Sequence, residues 1–252
     1  MSDHHHTHED EHNHAADADR AKSSALVVEL REHLPFSVSA VAIGLIVAGT
    51  ICILTLGAQG AAEALVEDEH AGHDHTANPA QLFFHLFHPA HMLFSAAATT
   101  AMFFRYESGV FKAIVIGLIG AIGVCGVSDI VMPHLSLTIL GIKTPWHICV
   151  YEHPMLVLPF AGVGVLLGLA AAGSVIRSTI ISHSLHVLMS TMASIFYMVR
   201  PLGMIAWIDD LGKVFIFVIV AVMVPCCVSD IVFPLLLSRA GRDRYGREPH
   251  PH

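Results

Sequence analysis

Long apolar runs alternate with short polar segments along this chain. Six of the runs approach or exceed the roughly 20 residues that a helix needs to cross a membrane. They predict transmembrane helices over residues 36–57, 79–104, 110–133, 154–173, 179–199 and 214–237. Only 13% of the residues are charged and 54% are hydrophobic, whereas a soluble domain carries about 25% charged residues. The pattern therefore predicts an all-α integral membrane protein.

The polar segments set the expected organisation. We expect a disordered His-rich tail at 1–31, three-helix units at 32–137 and 138–238, an outer loop at 61–78 and a basic tail at 239–252. Of the 13 Lys and Arg residues, only Lys143, Arg200 and Lys213 fall on the side opposite the termini. This distribution predicts cytoplasmic termini and a plasma-membrane location. The net charge of −8 argues against a nucleic-acid partner.

Two motifs occur twice. Cys-x-Val-Ser-Asp-Ile-Val-x-Pro spans residues 125–133 and again 226–234, and His-x2-His-x3-Ser-x3-Ser/Thr starts at His88 and again at His183. Helices 1–3 thus correspond to helices 4–6. Because three is odd, corresponding helices run in opposite directions, which predicts a 3+3 inverted-topology repeat of the kind found in secondary transporters.

Each repeat offers a set of potential metal ligands, because a carboxylate inside a membrane span indicates a functional site. Counting residues from the predicted helix ends places one set in the outer half of the membrane and the other in the inner half. The expected outer set is His88, His91, Cys125, Asp129, and Glu152 or His153. The expected inner set is His183, His186, Cys226, Asp230, and Glu32 or His33. The Ser and Thr residues of the histidine motifs are expected to pack and hydrogen-bond between helices.

Histidines mixed with acidic residues also occur outside the spans. The N-terminal tail and the loop at 61–78 are expected to collect metal ions loosely. The histidines concerned are His4, His5, His6, His8, His12, His14, His70, His73 and His75. Imidazole with carboxylate favours Zn, Ni, Co or Cu over Mg or Ca.

These features favour a secondary transporter of a divalent transition-metal cation, working by alternating access between the outer and inner sets, with protons as a possible coupling ion. One alternative is a membrane metalloenzyme using copper or iron. Trp146-His147 and Glu152-His153 resemble, over a dozen residues, the metal-binding subunit of membrane methane and ammonia monooxygenases, without its spacing pattern. A haem-binding electron carrier is the other alternative; it is disfavoured because the two histidine pairs are expected near opposite faces.

Overall fold

The computed structural model of the chain describes residues 31, 34–35, 37–59, 78–171, 178–227 and 237, with residues 105–106, 178–184 and 227 described by their backbone alone. The described residues form helices and connecting turns, with no strand among them, so the predicted all-α class is confirmed. In chain order the helices are α1 (Ser37–Gln59), α2 (Pro79–Tyr106), α3 (Val110–Ile139), α4 (Cys149–Glu152), α5 (Pro154–Ala171), α6 (Ser178–Leu202) and α7 (Leu211–Cys227).

Four helices are long and apolar enough to cross a membrane: α1, α3, α5 and the Leu185–Leu202 part of α6. Their outward faces are apolar, with Ile46 70% and Leu166 66% exposed. A surface of this kind fits a lipid environment, and the chain is membrane-embedded by this criterion. Helix α2 has 28 residues but is more polar, and α7 offers a shorter apolar stretch. The predicted count of six spans therefore remains a prediction.

Helix α2 packs against both α5 and α6. Its start is well defined, because Pro79 occupies the first turn and the Asn78 side chain accepts a hydrogen bond of 3.0 Å from the Ala80 N–H. Glycines in α5 allow the two backbones to touch. A methyl group at Gly168 would lie 2.5 Å from the carbonyl oxygen of Ala97, and one at Gly164 would overlap that of Leu93. The position of α2 therefore depends on these glycines.

Two π-helical turns interrupt α3, at Gly120–Val124 and Val127–Val131. Pro133 has no N–H, so the carbonyl of Asp129 lacks its usual partner four residues on. The N–H of Met132 bonds instead to the carbonyl of Val127, five residues back. Such turns are frequent at functional sites. Here they contain or flank Cys125, Ser128 and Asp129, all fully buried.

The start of α2, the end of α6 and the segment 140–153 meet at one end of the bundle, which we call the loop end. The Asn78 side-chain amide donates to the Arg200 carbonyl at 3.3 Å, and the Arg200 guanidinium donates to the Pro145 carbonyl at 3.4 Å. Gly141 follows α3 with a φ of 78°, a left-handed conformation that glycine adopts without strain. The predicted topology assigns this end to the outside.

Candidate metal centre

Asp129 is the centre of a hydrogen-bond network in the interior. Its Oδ2 atom lies 2.8 Å from Nδ1 of His88 and 2.7 Å from Nδ1 of His91. Its Oδ1 atom lies 2.9 Å from the Ser128 hydroxyl and accepts a hydrogen bond of 3.0 Å from Ser190. All five side chains are fully buried. Because an ionised carboxylate only accepts hydrogen bonds, both imidazoles donate from Nδ1, and the four contacts satisfy the buried charge.

Three ligand atoms converge beside this network. His91, His186 and Cys226, from α2, α6 and α7, are fully buried, and their ligand atoms lie within 4.8 Å of one another. Nε2 of His91 is 3.8 Å from Sγ of Cys226, and the ring centroids of His91 and His186 are 4.5 Å apart. A tetrahedral Zn²⁺ ion with ordinary bond lengths separates nitrogen and sulfur ligands by about 3.5 Å. We call His91, His186 and Cys226 the buried cluster; a small inward movement would bring its atoms to ligation distances.

A second cysteine borders the buried cluster. Sγ of Cys125 is 3.9 Å from Nε2 of His186 and donates a hydrogen bond of 2.7 Å to Ser95. Cys226 has the corresponding contacts, with His91 at 3.8 Å and with Ser190 at 3.6 Å. Each cysteine thus contacts the serine of its own motif pair and the histidine of the other. Cys125 is the candidate for a fourth ligand.

His88 has one ring nitrogen left over. With Nδ1 donating to Asp129, Nε2 carries the lone pair, and it has no hydrogen-bond partner among the described residues although it is buried. The His88 ring stacks on Phe84 at 5.1 Å. An imidazole nitrogen in this state can accept a proton or bind a metal ion.

A second histidine cluster lies at the loop end. His85 from α2, with His147 and His153 from the segment before α5, place their ligand atoms within 4.8 Å of one another. Nε2 of His85 and Nε2 of His147 are 2.9 Å apart, and Nδ1 of His147 is 2.6 Å from Oε2 of Glu152. We call His85, His147 and His153 the loop cluster. It is open on one side only, because His153 is exposed whereas His147 is only 5% exposed.

The surroundings of the loop cluster shift the pKa values of His147 and Glu152. Burial lowers the pKa of His147, and Glu152 only partly offsets this effect. Burial would raise the pKa of Glu152, but the hydrogen bond from the Ile148 N–H and the nearby His147 ring lower it below its ordinary value. An ionised Glu152 accepts the Nδ1–H of His147, so Nε2 of His147 carries the lone pair.

The expected separation of the ligands into outer and inner sets is wrong for the described residues. His91 was assigned to the outer set and His186 and Cys226 to the inner set, yet all three form the buried cluster. His88, His91 and Asp129 do come together as the outer set required. Glu152 and His153 do not join them, because the segment before α5 keeps both with His147 at the loop end.

Several predicted ligands fall outside the part of the chain that the structure describes. The side chain of His183 is among them, although its backbone lies in α6. The others are Glu32, His33, Asp230, and all the histidines predicted to collect metal in the tail and the loop at 61–78. The metal-binding role of every candidate residue remains a prediction.

The site also contains residues that motif reading missed. His85 completes a series with His88 and His91 at steps of three, which places them along one side of α2. That spacing could have identified His85. Ser128 and Ser190 bond to Asp129, and for Ser190 this agrees with the expected hydrogen bonding between helices. The position of His147 was harder to predict from the sequence, because only the folding of the loop brings it close to His85.

Comparison with known proteins identifies no relative: no protein-family model, curated protein or solved structure matches the chain. The function must therefore be argued from the geometry of the site.

Proposed function

We propose that this protein is a secondary transporter of a divalent transition-metal cation of the Zn, Ni, Co or Cu class. The observation that carries the proposal is the buried cluster, where two imidazoles and a thiol from three helices converge in the interior of a membrane-embedded bundle. The transported ion is the substrate, and His91, His186 and Cys226 are its proposed ligands. Transporter sites commonly lie near the membrane midplane, at the interface between repeats.

The donor set supports this class of ion. Imidazole and thiolate together favour Zn, Cu and related borderline ions over Mg or Ca, which prefer oxygen ligands. Asp129 accepts the Nδ1–H of His91, which leaves Nε2 with its lone pair on the side of Cys226. A carboxylate bonded to a ligating histidine in this way fixes the tautomer and raises ligand basicity.

Reciprocal contacts support the proposed six-span, 3+3 inverted repeat. Cys125 contacts His186 while Cys226 contacts His91, so each repeat would complete the ligand set of the other. Two glycines at matching positions make reciprocal contacts as well. Gly168 of α5, nine residues after Pro159, lies against α2, and Gly44 of α1, nine residues after Pro35, lies against Thr191 of α6. A site shared by two interlocked repeats can change its access when the repeats rock against each other.

In the proposed mechanism one central site replaces two separate gates. The ligands are fully buried, which corresponds to an occluded state between outward and inward access. A thiol loses its proton when it binds a metal ion, so ion binding releases protons and makes proton antiport the natural coupling. On this proposal the termini are cytoplasmic and the bilayer is the plasma membrane.

The test is metal uptake into proteoliposomes that contain a metal-responsive dye, using the full chain. We expect Co²⁺ and Zn²⁺ to enter with the wild type and His186→Ala to lower the initial rate at least tenfold. Cys52→Ser is the control, because Cys52 is also a buried cysteine but lies on α1 outside the cluster. If the wild type binds metal yet moves none, the transport proposal fails.

A copper redox protein is the second candidate, because two histidines and one cysteine are also the ligands of trigonal copper electron-transfer sites. Copper loading would then give an intense thiolate-to-Cu(II) absorption band with no metal flux. A haem carrier receives less support, since rings 4.5 Å apart leave no room for a porphyrin between His91 and His186.

A further inference from the structure

We propose that the loop cluster is a second transition-metal site, which binds one ion through His85, His147 and His153. It differs from the buried cluster in position and in chemistry, since it has three imidazoles and no thiol. This inference goes beyond the proposed function, because the site would bind metal whether or not the chain transports it.

The geometry of the loop cluster supports ligation. A tetrahedral zinc ion separates two imidazole nitrogens by about 3.4 Å. The Nε2 atoms of His85 and His147 are 2.9 Å apart, and all three ligand atoms lie within 4.8 Å. In the metal-free arrangement Nε2–H of His85 donates to the lone pair of Nε2 on His147. A metal ion would take both Nε2 lone pairs after the proton of His85 has moved from Nε2 to Nδ1 of the same ring, so that both imidazoles stay neutral.

Glu152 prepares His147 for this role. Its Oε2 atom accepts from Nδ1 of His147 at 2.6 Å, while Oε1 accepts a hydrogen bond of 3.0 Å from the Ile148 N–H. The carboxylate is thereby held by the backbone and holds the imidazole in turn. Carboxylates placed like this typically raise metal affinity 10–100-fold. We therefore assign Glu152 as a positioning residue and not as a ligand.

The class of ion follows from the donors and their exposure. Three neutral imidazoles suit Zn²⁺, Ni²⁺, Co²⁺ and Cu²⁺. Because His153 is exposed, a fourth position would be filled by water, and the ion would exchange with solvent. Such a site captures ions and releases them, whereas a closed site retains them.

The second repeat has no equivalent of His85, because the offset of 95 residues that relates His88 to His183 relates His85 to Ile180. After His85, the residues His88 and His91 follow along α2 at steps of three residues, or roughly 4.5 Å. An ion captured at His85 would sit at the start of a line of histidines that ends in the buried cluster.

Trp146 provides the test, because it precedes His147 and its ring stacks on His134 at 3.8 Å. The only other tryptophan, Trp207, is buried against α1. We expect Co²⁺ added to the purified full chain to quench Trp146 fluorescence to saturation. His147→Ala or His153→Ala should weaken the quenching at least tenfold, and Glu152→Gln should shift its midpoint about 10-fold or more. Trp146→Phe should abolish the signal.

Controls separate this site from the others. Replacing His4, His5 and His6 by Ala should reduce total bound cobalt without moving the midpoint of quenching. Cys226→Ser should also leave the midpoint unchanged, so failure here is distinguishable from failure of the buried site or of transport. Thermal unfolding of each variant checks that it is folded. Quenching that survives both histidine variants in folded protein, or that disappears with the tail histidines, would overturn the proposal.

Discussion

The buried cluster and the loop cluster use similar ligands in opposite surroundings. Each has three candidate ligands and a carboxylate bonded to one histidine through Nδ1. Asp129 is fully buried and meets four donor groups, whereas the Glu152 side chain is 39% exposed. The two clusters thus differ more in their surroundings than in their candidate ligands. In the interior a misplaced charge is costly, while at the loop end water can replace the partners of the exposed Glu152 and His153.

The largest effect should come from removing the buried carboxylate of Asp129, with removal of the exposed carboxylate of Glu152 as the comparison. Asp129→Ala leaves His88, His91, Ser128 and Ser190 without their shared acceptor, and we expect a loss of about 3–5 kcal/mol in the free energy of unfolding. Glu152→Ala should cost under about 1 kcal/mol, as for exposed ion pairs. Denaturant titration in detergent measures both. Equal losses would show that burial does not separate the two carboxylates.

Ligand substitutions should separate the two sites spectroscopically. Cys226→Ser should lower the intensity of the thiolate-to-cobalt charge-transfer band, leaving only the contribution of the candidate fourth ligand Cys125, and should weaken binding at the buried cluster about 100-fold, or about 2.7 kcal/mol, while Trp146 quenching remains. His153→Ala should weaken the quenching of Trp146 and leave the thiolate-to-cobalt charge-transfer band unchanged. Cys52→Ser is the matched control and should change neither signal. A charge-transfer band of unchanged intensity in Cys226→Ser would remove this cysteine from the ligand set.

Helix α2 links the two clusters, because it carries His85 and His91. Gly168→Ala would force α2 away from α5, since the added methyl group meets the Ala97 carbonyl. We expect a destabilisation of about 2 kcal/mol and weaker metal binding at both clusters. Gly162→Ala is the control, because a methyl group there meets nothing within 4 Å. Unfolding and cobalt titration of the pair would show whether the packing of α2 couples the sites.

The smallest effect is expected from the first histidine of the α2 series. His85→Ala should lower the initial rate of metal uptake at low metal concentration by about tenfold, or about 1.4 kcal/mol. Uptake at saturating metal should stay unchanged, because the buried ligands are intact. A fall in the saturated rate instead would mean that His85 acts in the transport step itself.

Local patterns predicted the helices well. The expected segments 79–104 and 179–199 agree with α2 and α6 to within three residues, whereas α3 ends at Ile139, well beyond its expected end at residue 133. Apolar runs and proline positions act over a few residues, so they can be read along the chain. The contact between His88, His91 and Asp129 was also predictable, because both motifs place their polar residues on one helix face.

The convergence of His91 and His186 was misjudged, although simple lengths favour it. His91 lies 12 residues from the start of α2, and His186 lies 8 residues from the start of α6. At about 1.5 Å per residue these distances are roughly 18 and 12 Å. Together they equal the roughly 30 Å of a hydrocarbon core, so antiparallel helices entering from opposite faces would bring the two residues to one depth.

The helices, the duplicated motifs and the residue types that can bind a transition metal are predictable from the chain, because they depend on local periodicity and composition. Which candidate ligands meet depends on the packing of distant segments. His91 reaches His186 and Cys226 because α2 packs against α6 and α6 packs against α7, and His85 reaches His147 through the fold of the segment before α5. Periodicity defines the face of a helix but not its neighbour, since tilt and contact depend on side chains far apart in the chain.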